Sequence, residues 1–81
     1  MNHLSTNLQR LRKYHRLTQA EAAYWLSITR TRYSGWEQGE SEPSIDMLLA
    51  LSKLYRISVD RLLTADLAPM LTEDVFKLLR P

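Results

Sequence analysis

The stretch LTQAEAAYWLSITRTRYSGWE, residues 17–37, decides the fold. Thr18 is a favoured N-cap, and Glu21 three residues later completes a Thr-x-x-Glu capping box. Apolar residues then recur with the spacing of one helix face until the pattern breaks near residue 27. Thr29 is a second N-cap, which predicts another helix over residues 30–36. The stretch therefore predicts two short helices joined by a tight turn.

Length and composition indicate one small folded domain. A chain of 81 residues suits a single core, and 44% apolar with 25% charged residues is typical of a globular protein. No apolar run approaches the ~18 residues of a membrane span, and residues 1–16 lack the apolar core of a signal peptide. We therefore expect a cytoplasmic protein that does not enter a membrane. There is no cysteine, and two histidines alone do not make a zinc site, so we expect no metal and no cofactor.

Charge is distributed unevenly along the chain. Residues 1–36 carry six cations against one anion, whereas residues 37–81 carry five cations against eight anions. A basic helix is usually only a solvated surface. Concentration of the cations around the predicted helix pair nevertheless favours a polyanion as partner.

The rest of the chain also predicts helices, which makes the fold class all-α. The first helix runs from about residue 3 or 6 to residue 15, with Leu4, Leu8 and Leu11 on one face. Ser44 and Ser58 are N-caps of a fourth and a fifth helix. A short sixth helix is predicted near residues 73–79. In the fourth helix we expect two apolar sets, an inward one of Ile45, Leu48, Leu51 and Tyr55, and a second stripe of Met47, Ala50 and Leu54.

Taken in order, the motifs of this chain resemble those of the Cro/cI-type helix-turn-helix family, also called the xenobiotic-response-element family. The resemblance covers roughly residues 7–63 and rests on the ordered set Leu17-Thr18-Gln19, Ala22-Ala23, Leu26-Ser27-Ile28-Thr29, Trp36-Glu37, Gly39, Glu42-Pro43-Ser44 and Ile57-Ser58. It implies a compact five-helix, lambda repressor-like DNA-binding domain over residues 1–64. Residues 65–81 would then form a connector and the sixth helix.

The resemblance also implies roles for individual residues. The third helix would lie in the major groove of double-stranded DNA, where Arg30, Thr31 and Arg32 read or flank bases. Gln19 would bind a backbone phosphate. The phosphate candidates are completed by three further polar residues, namely Arg10, Lys13 and Gln38. Arg12 and Glu37 would form a structural pair between the first helix and the end of the third.

Several positions depart from the family pattern. Ser27, Arg16 and Arg56 stand where glycine or asparagine is common, and each would need a left-handed backbone. Ala22 replaces a larger residue, and we expect Tyr33 to fill the volume it leaves. Gly35 needs a reason inside a helix, and a close approach of DNA or of another helix would supply one. For the aromatic pair Tyr24 and Trp25 two alternatives stay open: Trp25 packs beside Ala22, or the pair is a binding surface.

Three functions compete at this stage. The first is a sequence-specific DNA-binding transcriptional regulator, and a repressor in particular. The second is an antitoxin or interaction module of the same fold, whose partner is a toxin or a sensor domain downstream. The third, an enzyme, is disfavoured because the chain lacks a nucleophile set, a glycine-rich phosphate loop and a metal-binding cluster.

The third helix of one protomer contacts too few base pairs to specify a single site in a genome. We therefore expect a homodimer that binds two half-sites. Its surface would combine the stripe on the fourth helix with the apolar face of the sixth. The candidate residues are Met47, Leu54, Val75, Phe76 and Leu79. The alternative is that the sixth helix folds back over the fourth helix of its own chain.

Overall fold

The computed structural model describes residues 2–69, and all the regular secondary structure in this part of the chain is helical. Five helices follow one another: α1 (Leu4–Tyr14), α2 (Gln19–Trp25), α3 (Arg30–Glu37), α4 (Ile45–Tyr55) and α5 (Val59–Thr64). The predicted sixth helix, with Val75, Phe76 and Leu79, lies outside the described residues. The five-helix, all-α architecture predicted from the sequence is confirmed.

Four of the helices begin at the residues that the capping rules select. The Thr18 side chain accepts a hydrogen bond from the Glu21 amide at 3.0 Å, and the Glu21 carboxylate accepts one from the Thr18 amide at 2.9 Å. This is the complete capping box. The other three caps are hydroxyls that each accept from the amide three residues later: Thr29, Ser44 and Ser58. Local sequence therefore fixes where α2 to α5 start.

The core lies between α1 and the aromatic residues of α3 and α4. Tyr33, Trp36 and Tyr55 are its largest buried side chains. Ala22 and Tyr33 are both completely buried, as expected if the tyrosine fills the volume that alanine leaves. The hydroxyls of Tyr33 and Tyr55 are hydrogen-bonded to each other. Burial raises the pKa of Tyr55 to about 12, so this hydroxyl stays protonated at physiological pH.

The outward side of α4 differs from the prediction. Ile45, expected to face inward, is 76% exposed, and Leu49 one turn later is 52% exposed. The reason is that α4 begins at Ile45, directly after the Ser44 cap, where no other helix of the described residues 2–69 covers the first turn. Met47 and Leu54 lie on the other flank, half-buried against the core.

The segment after α5 belongs to the folded unit. Asn7 on α1 is completely buried, and its Nδ2 donates to the carbonyls of Leu62 at 2.8 Å and Ala65 at 2.7 Å. Its Oδ1 accepts from the amide of Leu67 at 3.1 Å, and the Leu67 side chain is completely buried. The core therefore continues beyond residue 64, at least to Leu67.

Three non-glycine residues adopt the left-handed backbone that the sequence predicted for them. Arg16, Ser27 and Arg56 have φ values of 58°, 59° and 57°. Each follows the end of a helix, where the chain must turn sharply into the next one. Gly39, after α3, has φ 74° and takes this conformation without the strain that a side chain brings.

Candidate nucleic-acid interface

A rigid turn sets the angle between α2 and α3. The buried side chain of Leu26 anchors the end of α2, and the Ile28 amide donates to the Ala23 carbonyl at 3.0 Å. The left-handed Ser27 lies between them. Thr29 then caps α3 at once, because its hydroxyl accepts from the Arg32 amide at 3.1 Å. Each residue of the turn is therefore held by a contact or by its backbone conformation, and α3 has one fixed orientation relative to α2.

The outward face of α3 follows from the residues that it buries. Tyr33, Trp36 and Glu37 point into the protein. With a rotation of about 100° per residue, the opposite side of the helix carries Thr31, Ser34 and Gln38. We call these three residues the outer face. Arg30 and Arg32 lie on its two flanks, and both are exposed.

The two arginines have different neighbours. Arg30 is on the side of α3 that carries Glu37, whose carboxylate contacts the start of α2. Arg32 is on the side of Trp36, and its guanidinium carbon lies 5.6 Å from the centre of the Trp36 ring. This is a cation–π contact between residues one helical turn apart. Arg32 thus rests on the rim of the core, whereas the first turn as a whole stays open to solvent.

Gly35 is explained by the loop that follows α3. The Glu40 amide donates to the Gly35 carbonyl at 2.9 Å, which folds residues 38–42 back toward the helix. A Cβ atom on Gly35 would come within 3.1 Å of the Ser41 hydroxyl oxygen. The close approach that glycine permits is therefore made by this loop. The loop exposes Glu40 and Glu42, which repel a phosphate backbone.

Arg12 and Glu37 are in direct contact. The Arg12 Nε donates to Glu37 Oε2 at 2.7 Å and its Nη2 to Oε1 at 3.2 Å. The Arg12 Nη1 also donates to the carbonyl of Leu17, at 3.0 Å. The Glu37 side chain is only 2% exposed and that of Arg12 is 15% exposed, so the pair is largely shielded from water.

Gln19 joins the same network. Its Nε2 donates to Glu37 Oε1 at 3.0 Å, which ties the start of α2 to the end of α3. Burial by itself raises the pKa of the Glu37 carboxyl. Hydrogen bonds donated by Arg12, Gln19 and Tyr33 outweigh this effect and hold the pKa below its ordinary value. Glu37 is therefore an anion at neutral pH.

The remaining phosphate candidates lie apart from one another. Arg10 and Lys13 lie on the outer side of α1, where they border a shallow hollow together with Ala68. Gln38 is exposed at the end of α3, and its Nε2 donates to the Ser34 hydroxyl at 3.0 Å. The sequence interpretation overlooked Ser34. Its spacing of three from Thr31 and four from Gln38 was the available signal, because such residues share a helix face.

Tyr24 and Trp25 project into solvent. They are 76% and 66% exposed, and their rings contact each other edge to face with centroids 5.8 Å apart. The alternative in which Trp25 packs beside Ala22 is wrong, because Ala22 is already covered completely by the core. An exposed aromatic pair on α2 remains.

Residues 2–69 also bear on two other kinds of site. This part of the chain holds no group of three histidine or acidic side chains arranged to bind a metal ion. None of its helices combines the length and the apolar character that crossing a bilayer requires.

The chain was compared with known proteins. A sequence model described as helix-turn-helix matches residues 8–62. An uncharacterised HTH-type transcriptional regulator of Bacillus subtilis, YobD, is 39% identical over 56 residues, which cover 69% of this chain and 50% of that protein. The HTH-type transcriptional activator BcrR of Enterococcus faecalis is 37% identical over 59 residues, or 73% of this chain and 29% of that protein. The chain thus spans half or less of the length of these two relatives.

Solved structures agree with the sequence comparison. The DNA-binding domain of the P22 C2 repressor superposes with a TM-score of 0.75 at 32% identity, covering 89% of this chain and 97% of that domain. A transcriptional regulator from Listeria innocua gives a TM-score of 0.74 at 28% identity, covering 78% of this chain and 59% of that one.

Proposed function

Because the chain belongs to the helix-turn-helix family, we propose that it is a sequence-specific DNA-binding transcriptional regulator, and a repressor in particular. It places α3 in the major groove of double-stranded DNA. The observation that carries this proposal is the open first turn of α3, with Arg30, Thr31 and Arg32 held in one orientation by the turn at Ser27. The P22 C2 repressor, a DNA-binding protein by its description, supports it through the structural likeness.

The contacts divide into two kinds. Thr31 on the outer face and Arg30 beside it approach base edges, since threonine contacts the thymine methyl group and arginine binds guanine in two places. The Gln19 amide nitrogen gives one of its two hydrogens to Glu37, and the second donates to a backbone phosphate. Further phosphate contacts come from Arg10, Lys13 and Gln38. Phosphate contacts orient the protein on the duplex, whereas base contacts select the sequence.

Selection of bound duplexes from a random DNA pool tests this proposal. The selected duplex and a scrambled duplex of equal length are then compared by fluorescence anisotropy over a range of salt concentrations. We expect affinities that differ by at least ~10³-fold, and a preference that Arg30→Ala changes with a loss of about 1–3 kcal/mol. Gln19→Ala should weaken both duplexes alike. Equal binding of the selected and scrambled duplexes by the unmodified protein would contradict sequence-specific regulation.

Assembly as a homodimer is part of the proposal, because two half-sites give the specificity that one α3 lacks. The candidate surface is the half-buried flank of α4, Met47 and Leu54, together with Val75, Phe76 and Leu79 of the C-terminal segment. Sedimentation at micromolar concentration, with and without operator DNA, measures the assembly. Phe76→Asp should give a monomer. A protein that stays monomeric on operator DNA would exclude the dimer.

A protein partner is the second candidate, and the exposed pair Tyr24 and Trp25 favours it. Contiguous exposed aromatic surface is typical of interaction sites. An antitoxin role would leave DNA binding intact, because the two rings lie on α2 away from the outer face of α3. Purification of the tagged chain from its native host distinguishes the two: a toxin that is lost with Trp25→Ser supports the antitoxin reading, and recovery of the chain alone counts against it.

A further inference from the structure

Arg30 and Arg32 are the same residue type in the same turn of α3, but they lie on different flanks of the helix. The buried residues Tyr33, Trp36 and Glu37 define the inward direction of the helix. Arg32 follows Thr31 by one residue, about 100° around the axis, and so lies on the flank that carries Trp36. Arg30 lies on the opposite flank, beside Glu37 and the start of α2. The two side chains therefore leave the helix on different sides of the outer face.

Trp36 holds Arg32 on its flank. The guanidinium carbon is 5.6 Å from the ring centre, within the range of a favourable cation–π contact. The ring itself is part of the core, with only 2% of Trp36 exposed, so it is a fixed surface rather than a mobile partner. This contact keeps the guanidinium on the flank of α3 that carries Trp36.

Acidic side chains near this flank give the positive charge of Arg32 a defined electrostatic role. The loop after α3 lies on the same side, next to Gly35, and exposes Glu40 and Glu42. A DNA strand that passes this edge of the helix meets two carboxylates. Arg32 lies on the same half of the helix as Gly35, which this loop contacts, and a cation there offsets the repulsion of the nearest phosphate.

We propose that Arg32 is a backbone-phosphate contact held in place by Trp36, and that sequence discrimination at the first turn of α3 belongs to Arg30 and Thr31. The inference rests on the proposed DNA-binding function. It gives different roles to Arg30 and Arg32, which the sequence alone does not distinguish. It also gives Trp36 a role in positioning a DNA contact, in addition to its place in the core.

Conservative replacement distinguishes the two roles, because both side chains are exposed and neither variant threatens the fold. A phosphate contact needs only a positive charge, whereas lysine does not reproduce the planar two-point geometry of an arginine that binds guanine. We expect Arg32→Lys to bind the selected duplex within about threefold of the unmodified protein, with its sequence preference unchanged. The matched variant Arg30→Lys should lose at least ~tenfold on the selected duplex and little on the scrambled one.

Salt dependence supplies a second measurement. Arg32→Ala should weaken the selected and scrambled duplexes by the same factor and should lower the slope of log K against log salt by about 1, as expected for one lost phosphate contact. A changed base preference for Arg32→Lys, or a loss confined to the selected duplex for Arg32→Ala, would overturn the inference while leaving DNA binding established. Failure of the unmodified protein to bind any duplex would instead remove the proposed function on which the inference rests.

Fluorescence tests the contact with Trp36 directly. The chain has two tryptophans, so Trp25→Phe leaves Trp36 as the only one. In this background Arg32→Ala should shift the emission to longer wavelength, because the ring face then meets water. Arg30→Ala should leave the emission unchanged. An emission spectrum that does not respond to Arg32→Ala would show that the guanidinium does not cover the ring, and the proposed positioning would be wrong.

Discussion

Removal of Arg12 tests how much the contact between α1 and α3 stabilises the domain. Arg12→Ala leaves the Glu37 carboxylate with 2% of its side chain exposed and without its charged partner. Breaking a buried ion pair in this way costs about 3–5 kcal/mol, whereas loss of an exposed pair costs about 0–1 kcal/mol. Gln19 still donates to Glu37 at 3.0 Å, so we expect the lower end of the first range, about 3 kcal/mol at pH 7.

The stability difference between the unmodified protein and Arg12→Ala should change with pH in a defined direction. In the unmodified protein the pKa of Glu37 is held below its ordinary value of 4.5, so the ionised carboxylate stabilises the fold above that pH and the contribution is lost as the pH falls. Without Arg12, its hydrogen bond and its charge no longer oppose the effect of burial, so we expect a higher pKa of Glu37 in the variant than in the unmodified protein. The variant should therefore lose less stability than the unmodified protein as the pH falls through the titration of this carboxyl. The difference between the two proteins should therefore shrink between pH 7 and pH 4.

Urea unfolding followed by circular dichroism at pH 7 and pH 4 measures both quantities. With a slope of about 1–1.5 kcal/mol per molar urea, a loss of about 3 kcal/mol lowers the midpoint by about 2–3 M. The control is Arg12→Met with Glu37→Met, which removes both charges and should recover most of the loss. A loss below 1 kcal/mol for Arg12→Ala at pH 7, or one that is independent of pH, would refute the reasoning.

Substitutions at four other positions have defined outcomes. Asn7→Ala leaves the polar groups of residues 62–67 without their buried partner and should cost about 3 kcal/mol in urea unfolding, while Asn7→Asp should cost at least as much, because a carboxylate cannot donate to the two carbonyls. Ser27→Gly relieves a φ of 59° and should raise Tm by about 4–8 °C, equivalent to about 1 kcal/mol; an unchanged Tm would mean that the turn is unstrained. Gly39→Ala has room for its Cβ atom and should lower Tm by a similar amount through its φ of 74° alone. Tyr55→Phe breaks the buried hydroxyl pair with Tyr33 and should cost about 1–2 kcal/mol, measured against Tyr24→Phe, whose ring is 76% exposed.

Local sequence determined the helices and where they begin. A capping box or a hydroxyl cap involves residues no more than three positions apart, so Thr18, Thr29, Ser44 and Ser58 could be identified without knowledge of the fold. The left-handed backbone at Ser27 was implied by the family resemblance, since related chains usually have glycine at this position. Because these interactions are complete within one segment, the sequence alone contained the helix-turn-helix.

Tertiary structure decided which surfaces these helices cover. Helical periodicity places Ile45 on an apolar face, but only the arrangement of the other helices shows that, among residues 2–69, this side chain is left exposed. Asn7 bonds to residues 55 to 60 positions away, and no local pattern indicates such a partner. The difference between Arg30 and Arg32 has a mixed origin. The contact of Arg32 with Trp36 joins residues four positions apart on α3 and is local. The burial that makes the Trp36 ring part of the core, by contrast, is fixed only when α1, α2 and α3 pack around one another.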